Sequence, residues 1–275
     1  MILDCAGRLL DLSRPRVMGI LNVTPDSFSD GGRFAAPDDA LAQAERMVLE
    51  GADVLDVGGE STRPGAAAVS LDEEIARVLP VIERLRAAFD VPISIDTSKP
   101  GLMQAAVAAG AGMINDVSAL RAPGAIEVAA AAGVPVCLMH MRGDPRSMQA
   151  APKYGNVVAD IIEYLGERVA SCEAGGIARE RLLVDPGFGF GKALEHNLVL
   201  LRDLHEFSRL GLPVLVGISR KSMLGMLTGR PVEQRVAASV AAAVMAVERG
   251  AQIVRVHDVA ATVDALKLWQ AVVAV

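Results

Sequence analysis

The chain has 275 residues, 52% hydrophobic and 22% charged, enough to bury a full core in one large domain. A formal net charge of −6 excludes a surface built to attract nucleic acid or an anionic membrane, so any anion site must be local. Aromatic residues are only 3%, which suits helices packed on parallel strands and not an aromatic-rich β-sandwich.

The N-terminal stretch MILDCAGRLLDLSRP carries Asp4, Arg8 and Asp11 where the apolar centre of a secretion signal would lie. Gly, Pro or charge interrupts each later apolar run before the roughly 18 residues of a membrane span. Cys5, Cys137 and Cys172 are too few and too irregular for zinc ligation or a disulfide framework, and read as buried small hydrophobes of a reducing cytoplasm. Segment 1–15 is expected to be a short hairpin. Eight apolar runs follow it: RVMGILNV at 16, VLDVGG at 54, ISIDT at 93, MINDVS at 113, VCLMHM at 136, LLVDPG at 182, VLVGIS at 214 and IVRVHDV at 253. They are continuous more than alternating, as strands buried on both faces are.

Helical patterns separate the runs. Leu41, Ala44 and Val48 share one face of a helix expected over 39–50, after Asp38 and before Gly51. Ser70 and Glu73 form a capping box for the next helix, and Ser98 is placed to cap a third, with Pro100 in its first turn. Strand–helix units spaced by roughly 34 residues, with no linker, predict a single α/β domain over 1–275, a (β/α)8 TIM barrel over 16–275 behind the hairpin. An open doubly wound sheet ranks second.

In such a barrel the chemistry gathers at the C-terminal strand ends, so the polar residue closing each run is the informative one. These are Asn22, Asp56, Asp96, Asn115, His140 or the preceding Met139, Asp185, Lys221 just past Ser219, and Arg255 with His257. Alternation pairs Ile20 with Asn22, Val54 with Asp56 and Leu183 with Asp185, so the apolar members line the barrel and the polar ones crown it. Each residue alone reads equally well as a helix cap or a solvated charge; eight on one rim do not.

Two groupings emerge. Asp96, Asn115, Asp185 and Lys221, near Met139, Phe188 and Phe190, suit a planar nitrogen heterocycle, because carboxylates accept paired N–H donors while Lys and Asn satisfy ring carbonyl and nitrogen. Asn22, Thr62, Arg63, Arg220, Arg255 and His257 supply donors for a phosphate or pyrophosphate. With no tight cluster of His, Glu and Cys, any metal is expected to be a hard cation such as Mg2+, held largely through phosphate oxygens. The glycines of DPGFGFGK, 185–192, let backbone come close to a flat ligand. The loops after the first two strands, with Phe28 and Phe34 in the first, read as lids.

Long ordered motifs run along nearly the whole chain: MGILNVTPDSFSDGGRF, GADVLDVGGESTRPGA, ISIDTSKP, INDVSAL, LMHMRGDPRSMQ, LVDPGFGFGK, GISRKSMLG and RVHDV. In them the chain resembles the dihydropteroate synthase family of folate biosynthesis, the target of sulfonamides. The resemblance implies a transferase that joins 6-hydroxymethyl-7,8-dihydropterin pyrophosphate to p-aminobenzoate. It implies a pterin held by Asp96, Asn115, Met139, Asp185, Phe190, Lys221 and Arg255. The pyrophosphate falls to Asn22, Thr62, Arg63, Arg255 and His257, with Asp56 in support and Asn22 as the Mg2+ ligand. The p-aminobenzoate pocket and its mobile loops fall to Asp26, Phe28, Asp30, Ser61, Thr62, Arg63, Pro64, Lys221 and Ser222.

Asp96, Lys221, Arg255, His257 and Asn22 form the implied catalytic group in a dissociative substitution, where Mg2+ and the cationic pocket stabilise departing pyrophosphate and Asp96 faces a pterin methylene cation. A homodimer is implied too, with the helices of 236–248 and 259–274 as faces equally suited to packing on the barrel. Sulfonamides are expected to compete with p-aminobenzoate. Two departures from the family pattern, Ile218 where threonine is frequent and Arg142 where an uncharged residue is frequent, fall outside the assigned pocket. A pterin-binding methyltransferase needs no pyrophosphate pocket, which Ser61-Thr62-Arg63 and Ser219-Arg220-Lys221 argue against. A Schiff-base aldolase would use Lys221 as nucleophile beside the cationic Arg220. An inactive paralogue would show lesions in the strand-end set, which is intact.

Overall fold

The computed structural model describes residues 1–24, 32–60, 69–143, 148 and 152–275, with the side chains of 32–36 left out. Strands β1 (Ile2–Cys5) and β2 (Arg8–Asp11) pair antiparallel, Cys5 opposite Arg8, as the hairpin expectation requires. Their turn residues Ala6 and Gly7 both take positive φ, the twist a two-residue hairpin needs.

Strands and helices follow as β3 (Arg16–Asn22), α1 (Gly32–Leu49), β4 (Val54–Gly58), α2 (Leu71–Ala88), β5 (Ile93–Asp96) and α3 (Pro100–Ala108). Next come β6 (Met113–Asp116), α4 (Ala125–Ala132), β7 (Val136–Met139), α5 (Val157–Ala174), β8 (Leu182–Asp185) and α6 (Leu194–Arg202). The chain ends with β9 (Leu215–Val216), α7 (Ser222–Thr228), α8 (Val236–Glu248), β10 (Ile253–Val256) and α9 (Val259–Val273). Strands β3 to β10 pair in parallel in the order β8-β7-β6-β5-β4-β3-β10-β9, and a bridge from Val184 to Val214 joins the two ends. The result is the nearly closed (β/α)8 barrel that the eight runs predict. Among the described residues, no helix is long and apolar enough to cross a membrane.

Three local expectations need correction. Helix α1 begins at Gly32, not after Asp38, and contains Pro37 as its sixth residue, whose missing N–H removes one helical bond, to the carbonyl four residues earlier. Ser98 does not cap α3, whose N-cap is Lys99 without a side-chain bond; the Lys99 N–H instead reaches Thr97 Oγ1 at 3.2 Å. Strand β9 keeps only Leu215–Val216 of VLVGIS; before it, Pro213, which has no N–H for the ladder, offers its carbonyl to the Val184 N–H at 3.0 Å. The Ser70–Glu73 capping box is present as read.

Alternation sorts the strand residues into layers. Met18, Val54, Met113, Cys137, Leu183, Leu215 and Ile253 point inward at one level and pack on Leu3, Cys5, Leu10 and Leu12 of the hairpin, which plugs the barrel floor. Their strand neighbours, such as Leu21, Leu55, Ile114 and Val184, point outward into the larger core shared with the helices. Two residues further along the inward face of β4, β6, β8 and β10 stand polar residues of the rim.

Candidate active site

The site is built on that inward face one level above the apolar layer. Asp56 follows Val54, Asn115 follows Met113, Asp185 follows Leu183 and Arg255 follows Ile253, each two positions on. Gly217 lies beside Arg255 just past β9, where an added methyl group would make ordinary contact, 3.8 Å from Arg255 Cβ.

Arg255 is the hub. Its Nε donates to Asp56 Oδ2 at 2.5 Å and one terminal nitrogen donates to Asp96 Oδ2 at 2.7 Å. Asn115 Nδ2 gives a second bond to the same Asp56 oxygen at 3.1 Å. Asp56 Oδ1 is buried with no hydrogen-bond partner among the described residues. Asn22 lies beside this pair: its Oδ1 is 3.7 Å and Asp96 Oδ2 is 3.8 Å from the position a Cβ would take on Gly58.

Burial governs the charges. It lifts Asp96 to about 7 against the opposing pull of Arg255. It lowers Lys221 to about 8, although Asp185 draws it back up. Asp185 is raised by burial, with Lys221 as its main offset. Burial disfavours the Arg255 cation, but Asp56 and Asp96 together outweigh that and hold it charged well above its ordinary value. Carboxylates and cations thus alternate across one small volume.

The glycine loop after β8 forms a wall of this volume. Asp185 Oδ1 accepts the Gly187 N–H at 2.7 Å. The Phe190 ring lies under the Lys221 ammonium, 4.4 Å from Nζ to the ring centroid, and packs on the Met139, Met141 and Met148 cluster. Lys221 Nζ also donates to the Phe188 carbonyl. The Phe188 side chain, placed on the rim by the sequence reading, is instead fully buried in the outer core, because the loop's left-handed glycines turn alternate side chains to opposite sides.

The second grouping is brought together only in part. His257 stands past β10, with Ser219 Oγ 3.1 Å from Nδ1 and accepting the His257 N–H at 3.2 Å. Arg220 does not join it: its guanidinium is engaged by Asp258, Nε to Oδ2 at 2.9 Å, and its N–H is taken by Ser239. The reason is local, since Arg220 has a φ of 57° that turns its side chain away from the run preceding it. Ser222 opens α7, exposed, next to Lys221. Asp26, Phe28, Asp30, Ser61, Thr62, Arg63 and Pro64 lie outside the described residues.

Sequence reading missed three groups. Arg235 donates to the Arg220 carbonyl at 3.0 Å and holds the turn that presents Lys221. Arg168 clamps the carbonyls of Ala119 and Leu120 at 2.9 and 3.1 Å beneath the loop that follows β6. Lys192, buried behind the glycine loop, meets His140 Nδ1 at 2.9 Å. Of these, only Lys192 stood inside a quoted motif, and its spacing from His140 gives no signal. His140 itself turns away from the rim that Met139 faces.

Among the described residues no three His, Cys, Asp or Glu side chains gather as metal ligands. Asn22, with a hard amide oxygen beside the carboxylate of Asp96, is of the donor type that Mg2+ accepts alongside phosphate oxygens. An open groove of about 550 Å³ near the hairpin, lined by Leu9, Arg16, Asp53 and Phe89, is at the other end of the barrel. Its main charges engage each other, Arg16 with Asp53 at 2.7 Å.

The pterin binding enzyme family matches residues 18–257. Dihydropteroate synthase of Haemophilus influenzae is 54% identical over 264 residues, spanning 96% of both chains. The solved Xanthomonas albilineans dihydropteroate synthase with 4-aminobenzoic acid is 60% identical with a TM-score of 0.96, covering 100% of this chain and 98% of that one. The Yersinia pestis dihydropteroate synthase in a sulfonamide drug complex is 54% identical with a TM-score of 0.96, over 100% of each chain. A rim of this composition, on a barrel that superposes so closely at this identity, shows that the chain belongs to the pterin binding enzymes and, within them, to the dihydropteroate synthase family.

Proposed function

We propose that the chain transfers the pterinylmethyl group of 6-hydroxymethyl-7,8-dihydropterin pyrophosphate to p-aminobenzoate, giving 7,8-dihydropteroate and pyrophosphate in folate synthesis. The observation that carries this reading is the gathering of Asp56, Asp96, Asn115, Asp185, Lys221 and Arg255 at one end of the barrel. The complexes of relatives with 4-aminobenzoic acid and with a sulfonamide drug support it, and sulfonamides are taken as competitors of p-aminobenzoate.

In this reading Asp185 and Asn115 bind the amino-pyrimidine edge, Lys221 donates to the pterin ring, and Met139 and Phe190 pack on its face. Arg255 holds Asp96 beside the reacting methylene. The C–O bond to pyrophosphate breaks and its electron pair leaves with the pyrophosphate. The arylamine nitrogen then bonds the methylene and loses one proton. Between these events the carbon is cationic, and ionised Asp96 opposes that charge across a site screened from water. No side-chain nucleophile is required.

Asn22 and His257, with Thr62 and Arg63, take the pyrophosphate. Mg2+, held by Asn22 and phosphate oxygens, would supply charge neutralisation of the leaving group. Asp26, Phe28, Asp30, Ser61, Pro64 and Ser222 complete the arylamine pocket. A coupled assay of pyrophosphate release tests the whole reading: release is expected to require both substrates and Mg2+, and release independent of either sinks it. Two copies are proposed to pair, since Leu268, Val272 and Val273 leave apolar surface on α9; sedimentation at twice the chain mass is expected, and a monomer throughout rejects it.

A further inference from the structure

Lys192 has no part in the reading above, yet it is 3% exposed and aimed at the back of the substrate wall. Its Nζ is 2.8 Å from the Gly187 carbonyl, 3.0 Å from the Phe190 carbonyl and 2.9 Å from His140 Nδ1. His140 is pushed down to about 2, first by burial and then by Lys192, so its ring is neutral. With the His140 carbonyl at 3.4 Å, four partner atoms surround this one nitrogen, the Gly187 and Phe190 carbonyls among the nearest. Burial pushes Lys192 well below the usual lysine range, and a polar head held there by backbone and imidazole, without a carboxylate in contact, is costly to bury and is not explained by packing alone.

The bonds lead to the site. Gly187 has a φ of 70° and sits so tightly on β7's end that a Cβ would lie 1.9 Å from the His140 carbonyl oxygen. Its carbonyl is taken by Lys192 and by the Phe190 N–H at 3.1 Å, while its own N–H fixes Asp185 Oδ1 at 2.7 Å. Phe190, held at its carbonyl, lays its ring under Lys221. One buried lysine nitrogen therefore anchors the peptide that aims the carboxylate and the peptide that aims the ring.

We propose that Lys192 is a positioning residue for the pterin, setting the direction of Asp185 and the plane of Phe190 through the Gly187 and Phe190 carbonyls. This rests on the reading that Asp185 and Phe190 meet the pterin.

The test is Lys192→Met, which keeps chain length and removes all three donors. Affinity for a pterin lacking the pyrophosphate, measured by calorimetry, is expected to fall at least about tenfold, while KM for p-aminobenzoate stays within about twofold. In an Asp185→Asn background the same change is expected to cost less than it does alone, because the carboxylate it aims is gone while the Phe190 ring it places remains. A role in packing alone would move both substrates together and add independently to Asp185→Asn. That pattern, or unchanged pterin affinity in folded Lys192→Met, overturns the proposal. Asp185→Asn without effect on pterin affinity would remove the underlying assignment; Asp185→Asn weakened with Lys192→Met unchanged removes only the role of Lys192. If Lys192→Met does not fold, Lys192→Gln, which keeps uncharged donors at shorter reach, is judged by the same criteria.

Discussion

At Asp56 a single carboxylate oxygen accepts from both Arg255 and Asn115, so one buried residue of β4 sets the positions of side chains from β6 and β10. In the proposed reaction Asp96 is the charged group that faces the reacting carbon. Asp96→Asn keeps the shape and loses the charge, and turnover is expected to fall at least about tenfold, or about 1.4 kcal/mol, with pterin binding less affected. Steady-state kinetics beside pterin calorimetry checks this, and unchanged kcat refutes the role. The same groups set the working pH. Asp96 must be ionised to oppose a cation, so activity rises as pH passes its value of about 7; Lys221 must keep its proton to donate, so activity falls as pH passes its value of about 8. A bell-shaped kcat/KM profile is expected, with the rising limb lost in Asp96→Asn and the falling limb kept. A flat profile across that range counts against both assignments.

At the scale of single elements, the turn after β6 carries the most unusual backbone. Ala119 and Leu120 are both left-handed, with φ of 52° and 54°, a conformation that costs non-glycine residues energy. Asp116 holds it, its carboxylate accepting the N–H of Ser118 at 2.7 Å and of Leu120 at 2.8 Å. Asp116→Ala leaves one buried and one half-buried donor unmet and is expected to destabilise the fold by about 2–4 kcal/mol, read by urea denaturation. A change under about 0.5 kcal/mol would show that the turn holds itself. Elements of this kind also explain what sequence could and could not reveal. The strands were legible because residues such as Val54 and Leu55 are buried on opposite faces alike, which leaves a continuous apolar run ending in one polar residue. Asp96, Asn115, Asp185 and Arg255 were therefore found. The start of α1, the side to which Phe188 turns and the capture of Arg220 by Asp258 depend on local φ or on a partner distant in the chain, and no periodicity carries that information.

Across the whole molecule the hairpin is the closure of the barrel floor. Gly112, just before β6, would place a Cβ 2.3 Å from the Cys5 carbonyl oxygen, a clash with backbone that no rotamer relieves. Gly112→Ala is expected to cost about 1–3 kcal/mol by forcing β1 off the floor, while substrate affinities at the opposite rim stay unchanged below the lowered Tm. Calorimetric unfolding beside kinetics checks it, and an unchanged Tm would mean the hairpin is not seated as described. The floor also shows why Cys5 and Cys137 are inert hydrophobes: burial holds both thiols far above their usual range, Cys5 at about 12.

The pairing of β3 with β10 joins the first barrel strand to the last, Arg16 beside Ile253. A nascent chain leaving the ribosome can pair its first barrel strand with β4 early, but the other edge of that strand stays open until almost all of the length has been synthesised. The plug, translated earliest, waits for the same event, since Ile253 is one of the residues it covers. Synthesis halted before that strand should leave a product open to proteases from its very beginning, so even a modest C-terminal truncation would undo residues made at the start.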